Sequence, residues 1–231
     1  TGTNPTNVPV YFLFLQGLMT MSNFTDSKLA LNRSIARAET IHRERQLLAL
    51  QNLYPGQGYT IKHIAGSTTI LSPPMFGRKV NHTYEFALYG RVLHNDLRNI
   101  EAAYERNGAR PEFDLCEFAD SSGLDLLSDH YTVTGSWCEY QQPLSDFQHA
   151  ATIGCSIKIL DARDHDTFVQ ASVDGFKSNG RSAELLKALA ESAAARSDTI
   201  LFSASIDGEL VGTAAMAMIE ATDSKIAILF C

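Results

Sequence analysis

Only four cysteines occur in 231 residues, at positions 116, 138, 155 and 231, and no two of them form a C-x-x-C pair. That spacing excludes the common zinc knuckles and gives no disulfide framework of the kind that staples small secreted domains. Thiols in a reducing, cytoplasmic compartment are expected. Positive charge is also scarce: 19 Lys and Arg stand against 26 Asp and Glu, a formal net charge of −7. Broad attraction to phosphate backbones or anionic lipid is not expected, which sets aside nucleic acid and membranes as partners. No apolar run reaches the ~18 to 20 residues of a spanning helix.

Catalytic spacings are equally sparse. The fifteen glycines form neither a G-x-G-x-x-G fingerprint nor a G-x-x-x-x-G-K-[ST] loop, and there is no G-x-S-x-G elbow. The seven histidines include no H-E-x-x-H, so zinc hydrolysis has no motif. His82 and Glu85 lie three apart on an expected strand, fall on opposite faces and read as structural. Asp164, His165 and Asp166 cluster in the first turn of an expected helix, where acids favour the dipole; no metal is expected. Sequons occur at Asn23, Asn32 and Asn81 but do not establish secretion. The run Val8 to Met21 (VPVYFLFLQGLMTM) resembles the apolar part of a signal peptide, yet it lacks a preceding basic residue and a small-x-small cleavage site. Residues 1–21 are read as a leader or disordered tail, with Met19 or Met21 as alternative starts.

Periodicity organises what remains. Asp26 to Asn52 is the clearest amphipathic helix, with Leu31, Ile35, Ala38, Ile41, Leu48 and Leu53 as its apolar stripe and Pro55-Gly56 as its stop. Its Arg33, Arg37, Arg43 and Arg45 read as a solvated face rather than an anion site. A hairpin over Tyr59–Ile64 and Ser67–Leu71 turns at Ala65-Gly66. Then come a strand over His82–Tyr89, a helix over Asn95–Arg106 ending at Asn107-Gly108, a strand over Pro111–Phe118, a helix over Ser121–Asp129 and a strand over Tyr131–Tyr140. After a linker the pattern restarts with a strand (Ser156–Leu160), two helices (Asp161–Asp174 and Ser182–Arg196) and a strand (Thr199–Ile206). An Asp207-Gly208 hairpin, a long strand (Leu210–Glu220) and a fully apolar strand (Ile226–Cys231), expected to be central in its sheet, complete it. The fold class expected is α/β, with a mixed, mostly antiparallel sheet flanked by helices.

The phrase IDGELVGTA over Ile206–Ala214, followed by IAILFC, resembles the GNAT acetyltransferase superfamily, in which a "DGxxVG" hairpin joins the second and third strands. The resemblance covers residues ~153 to 231, about the first half of such a domain. The first half of the chain, from HTYEFALYG through YTVTGSWCEYQQPL, looks like a worn version of the later strands of the same family without its glycine-rich loop. The resemblance implies a GNAT-like protein in two units, the second incomplete: 22–145 a degenerate GNAT-like domain, 146–154 a linker and 155–231 the N-terminal half of an acetyltransferase domain. It further implies acetyl-CoA as cosubstrate and a small-molecule amine as acceptor. Leu229, Phe230 and Cys231 match the strand that pairs with the pantetheine arm, and Phe168 and Phe176 match the region that walls the acceptor site. Glu220, at the end of the third strand, is the carboxylate to test as proton acceptor. Each of these residues also has a plainer reading, as core or as a solvated strand end. The family's [QR]-x-x-G-x-[GA] motif, which holds pyrophosphate at a helix N-terminus, does not occur in the chain. A non-catalytic binding or scaffold module, or an inactive truncated product, is the alternative. Self-association through an exposed C-terminal strand is expected in either case.

Overall fold

The structure, a computed structural model, describes residues 8–14, 26–56, 58–138, 154–221 and 224–230. Its elements fall into two compact units. The first comprises the described residues of Thr1–Thr40 and Gln57–Gln142, and the second those of Ile41–Gly56 and Pro143–Cys231. It is an α/β protein with two sheets flanked by helices, and five of the eight strand pairings among the described residues are antiparallel.

The first unit holds a six-stranded mixed sheet. Its strands are β1 (Val8–Phe14), β2 (Thr60–Ile64), β3 (Ser67–Leu71), β4 (His82–Tyr84), β5 (Phe113–Cys116) and β6 (Tyr131–Cys138), in the spatial order β2-β3-β4-β5-β1-β6. The expected hairpin forms between β2 and β3, with Ala65 and Gly66 both at positive φ as a primed turn requires. Two helices pack on this sheet, α2 (His94–Asn107) and α3 (Ser121–Ser128). Gly108 stops α2 in a left-handed cap, and Asp120 caps α3 by accepting from the Ser122 N–H at 3.0 Å. The core joins Leu71, Phe86, Ile100, Tyr104, Phe113, Leu127 and Tyr131. Tyr104 is fully buried and satisfied: its hydroxyl donates to the Glu112 carbonyl at 2.9 Å and meets Thr83 Oγ1 at 3.2 Å.

Several sequence expectations are corrected here. Val8–Phe14, read as part of a leader or disordered tail, is a strand in register with β5 and β6, parallel to both. A short apolar run is equally suited to a buried parallel strand and a signal segment, and periodicity does not separate them. The strand expected over His82–Tyr89 ends at Tyr84, so Tyr84, Phe86 and Leu88 do not share a strand face. Glu85 and Ala87 adopt φ of 59° and 58°, which turn the chain. Left-handed backbone at non-glycine residues is costly and persists only where neighbours fix it. Here the buried Glu85 carboxylate accepts from Tyr89 Oη at 2.6 Å and lies 3.6 Å from Arg37, while the Ala87 carbonyl accepts from Asp120 N–H at 2.8 Å.

The long helix α1 (Asp26–Leu53) forms over the expected span but buries only part of the expected stripe. Of the expected stripe Ala38 is buried and Ile35 and Ile41 are half-buried, but Leu31, Leu48 and Leu53 are exposed, whereas Ala36, Thr40, His42, Gln46, Leu47 and Leu50 are buried. Small and polar residues that the stripe did not include line the buried face, because two of its polar groups have structural partners. Thr40 donates to the Ala36 carbonyl, and His42 accepts from an arginine described below.

The second unit holds a four-stranded antiparallel sheet. It is built from β7 (Ser156–Ile159), β8 (Thr199–Ile206), β9 (Glu209–Ala221) and β10 (Ser224–Phe230), in the order β10-β9-β8-β7. Between β7 and β8 lie a 3₁₀ turn (Ala162–Asp164) and two helices, α4 (His165–Phe176) and α5 (Ala183–Ala194), the latter capped by Ser182. Asp207 and Gly208 form the expected hairpin turn, both at positive φ. Ala215, Ala217, Ile219 and Ala221 alternate inward along β9, and Phe168, Ala190, Ala193 and Leu201 complete the core around Ala215. β10, expected to be central, is an edge of the described sheet, pairing with β9 alone. Its side chains alternate between half-buried and exposed, so its uniform apolar composition does not reflect burial on both faces. The expected linker 146–154 lies outside the described residues apart from Gly154.

Candidate functional site

The residues singled out in the second unit do not converge. On a strand, alternate residues face opposite ways, and Glu220 stands between Ile219 and Ala221, both buried. Glu220 therefore lies on the face away from the core. Leu229 pairs in register with Met216, which shares that face, four rows from Glu220 or about 13 Å at 3.3 Å per residue. Leu229 is 70% exposed. Phe230 and Phe168 lie on the other side, packed into the core cluster with Leu201 and Ala215. Phe176, at the end of α4, carries the Arg181 guanidinium 5.8 Å from its ring centroid. Cys231 lies outside the described residues.

Glu220 itself is an open-surface carboxylate. Lys225, its register partner on β10, places Nζ 3.3 Å from Oε1, and the two side chains are 77% and 76% exposed. A proton acceptor there has first to release the ammonium, which costs little because an exposed pair of this kind contributes about 0 to 1 kcal/mol. Asp164, His165 and Asp166 serve the helix start. Asp164 accepts from Lys158 Nζ at 3.2 Å, and the neighbouring Asp161 accepts from Arg163. No group of three or more metal-ligating side chains occurs among the described residues.

Two buried ionic constellations went unread in the sequence. In the second unit, Arg196 is 5% exposed and forms a two-point contact with Asp198, Nε to Oδ1 and Nη2 to Oδ2, both 2.9 Å. Arg45 adds a 2.7 Å contact to Asp198 Oδ2. Burial by itself would raise the Asp198 pKa, but the hydrogen bonds from Arg196 and Arg45 outweigh it and hold the carboxyl at about 2. Arg196 Nη1 also donates to His42 Nδ1 at 3.1 Å and to the His42 carbonyl at 3.3 Å. A guanidinium offers no acceptor, so Nδ1 supplies its lone pair and the ring is neutral with its proton on Nε2. Burial, reinforced by Arg43 and Arg196, pushes the His42 pKa down to about 2. The ring edge meets Phe230 at a centroid distance of 4.5 Å. Tyr54 donates to Glu191 from the following turn.

In the first unit, His82 on β4 sits between two carboxylates, that of Glu112 just before β5 and that of Asp114 within it, with Nε2 3.4 Å from Glu112 Oε2 and Nδ1 3.3 Å from Asp114 Oδ1. All three side chains are buried. Burial raises the Glu112 pKa, while His82 and Arg78 oppose that rise and Asp114 adds to it. The carboxylates beside His82 lie about thirty residues away along the chain rather than at Glu85. The α1 arginines are half-exposed, as a solvated face would be, yet three of them also have partners: Arg33 donates to the Leu88 carbonyl and covers the Tyr89 ring, Arg37 meets Glu85, and Arg45 meets Asp198.

Two of the three sequons are occupied internally. Asn81 is buried with its amide donating to the Gly77 carbonyl at 2.7 Å, and Asn32 donates to the Lys28 carbonyl at 2.8 Å. Asn23 lies outside the described residues. Cys116 and Cys155 are free thiols. No helix among the described residues is long and apolar enough to cross a membrane. The chain matches no family model, no curated protein and no solved structure.

Proposed function

We propose that the chain is part of an acetyl-CoA-dependent N-acetyltransferase of the GNAT type, transferring the acetyl group to a small-molecule amine. The observation that carries this reading is the build of the second unit. Strand, two helices and then three antiparallel strands, with the Asp207-Gly208 turn between the first two, support this reading. A further support is the outer edge of β10, whose backbone pairs with nothing else among the described residues. An extended pantetheine arm laid along that edge would add the next row of backbone hydrogen bonds.

In this reading a neutral amine attacks the thioester carbonyl, the carbon–sulfur bond breaks and the CoA thiolate leaves. The protein's part is to position the two reactants and to offer a backbone donor to the developing oxyanion. Glu220 would take the amine's proton in this reading once Lys225 swings aside. Phe168 belongs to the core, so the acceptor wall in this reading falls to Phe176 and its neighbours at the end of α4. The openness of the Glu220 and Leu229 surface favours a second reading, a binding or scaffold module that performs no transfer.

Calorimetric titration with acetyl-CoA separates the two. The 231-residue chain, which contains no [QR]-x-x-G-x-[GA] loop, is expected to bind weakly or not at all. A natural form extended through such a loop is expected to bind with saturation and to release CoA thiol when offered amines. An extended form that carries the loop yet neither binds acetyl-CoA nor releases thiol would rule out the transferase.

A further inference from the structure

The first unit contains a groove of about 330 Å³ between α2 and the edge strand β2, lined by Lys62, His63, Ile64, Asn99, Ala102 and Arg106. Its size falls at the lower end of small-ligand sites, about 300 to 1,000 Å³. Lys62 is in register with Thr69, and Thr69 Oγ1 meets Thr83 Oγ1 at 3.1 Å, on the side where Thr83 meets the Tyr104 hydroxyl of α2. That places the Lys62 side chain on the sheet face beneath α2, with Ile64 two residues on packing against the same core. On the helix, Asn99, Ala102 and Arg106 are spaced i, i+3 and i+7 and form one stripe facing it. His63 contributes from the strand edge, its Nδ1 engaged 3.1 Å from Thr68 Oγ1.

The groove is positively charged in an acidic chain. Acidic residues outnumber basic ones 26 to 19. Arg37, Arg45, Lys158, Arg163, Lys177, Lys187, Arg196 and Lys225 each have a carboxylate partner. Lys62 and Arg106 converge without one among the described residues, and no carboxylate lines the groove. Glu101, nearby on α2, is engaged by the Tyr131 hydroxyl at 2.6 Å. An ammonium, a guanidinium fork and a side-chain amide together offer many donors and a double positive charge. Ala102 leaves the floor between Asn99 and Arg106 open, and Ile64 supplies an apolar wall.

We propose that this groove binds the phosphate of a small phosphomonoester, with Lys62, Arg106 and Asn99 on the phosphate oxygens and the organic body over Ile64 and Ala102. The site is in the first unit and does not depend on acetyl transfer by the second. The test is calorimetric titration of the full chain with inorganic phosphate, adenosine 5′-monophosphate and adenosine at fixed ionic strength. The nucleotide is expected to bind at one saturable site, more tightly than inorganic phosphate, and adenosine not to bind. Lys62→Gln and Arg106→Gln should each weaken the nucleotide about fivefold or more, as loss of a charge-assisted contact implies. Ala102→Trp, which fills the floor without changing charge, should weaken it similarly, and thermal melting of each variant checks that the fold is retained. Lys177→Gln removes the same charge elsewhere and should change nothing. Absence of saturable phosphate binding, equal binding of adenosine, equal weakening by Lys177→Gln, or an Ala102→Trp variant that binds like the parent would each overturn the assignment.

Discussion

His42 makes the stability of the second unit depend on pH in a window that can be calculated. In the folded chain its pKa is about 2, against 6.5 for a free imidazole, because the ring is buried and Arg43 and Arg196 oppose a further positive charge. A base whose folded pKa is depressed gives its full stability above the unfolded pKa. Below 6.5 the unfolded chain takes up a proton that the folded chain refuses, so stability falls as pH falls. Between pH 7 and pH 5 the unfolded histidine goes from about one-quarter to nearly fully protonated. The folded state loses about 2 kcal/mol relative to it, at 1.36 kcal/mol per pKa unit. Asp198 does not blur the window, since its own transition lies below pH 4. The test is urea denaturation by circular dichroism at pH 7, 6 and 5 for the parent and His42→Asn, whose Oδ1 can still accept from Arg196. The variant is less stable at pH 7 because it leaves a void, but its difference from the parent should shrink by about 2 kcal/mol on going to pH 5. The other six histidines are common to both proteins and cancel. A difference that stays constant within about 0.5 kcal/mol across that range would refute a neutral, buried His42.

Asp198→Asn should cost roughly 3 kcal/mol in the same assay at pH 7, because it leaves the buried Arg196 guanidinium without its counter-charge. It should also remove about 2 kcal/mol of acid-dependent loss between pH 4 and pH 2, the window in which a carboxyl held below its unfolded pKa of 3.8 gives up its stability. His82→Leu should destabilise the first unit by roughly 3 kcal/mol at pH 7, since Glu112 and Asp114 then face each other buried. A cost below about 1 kcal/mol in urea titrations at pH 7 would contradict the pairing. Gly123→Ala would stabilise an ordinary helix by about 1 kcal/mol. Here the added Cβ falls 2.8 Å from Ala87 Cβ and 3.2 Å from Leu115 Cδ1, so a net loss of about 1 to 3 kcal/mol is expected, read as a lower melting temperature.

Elements whose signals are local were legible in the sequence. The Ala65-Gly66 and Asp207-Gly208 turns and the Gly108 stop of α2 each depend on the conformational preference of one or two residues, and each forms as expected. Features set by distant residues were not. Nothing about Glu85 or Ala87 as residue types predicts left-handed backbone, and the strand was extended through them. The buried face of α1 is fixed by an arginine more than 150 residues away, which makes His42 an interior residue and leaves Leu48 exposed. His82 was assessed against its sequence neighbour Glu85, whereas its carboxylates come from β5 and the residue before it, brought alongside by a helical crossover.

The two sheets differ in how their faces are used. In the first unit every residue of β3, β4 and β5 is buried, so both faces of those central strands are closed, and His82, Glu112 and Asp114 are committed to one another. The Lys62 and Arg106 groove lies at the periphery of that sheet, against its edge strand β2. In the second unit only one face of β9 is buried. The opposite face carries Ile157, Ile159, Met218 and Leu229 exposed, ending at the Glu220–Lys225 pair and bounded by the open edge of β10. Exposed apolar side chains beside unpaired backbone groups are costly in water and favour any chain or ligand able to cover both at once. A pantetheine arm on the β10 edge would satisfy the backbone but leave most of that apolar face uncovered. Ile157 and Ile159 on β7 lie across the sheet from Leu229 on β10, so any surface that covers the apolar face has to reach across all four strands.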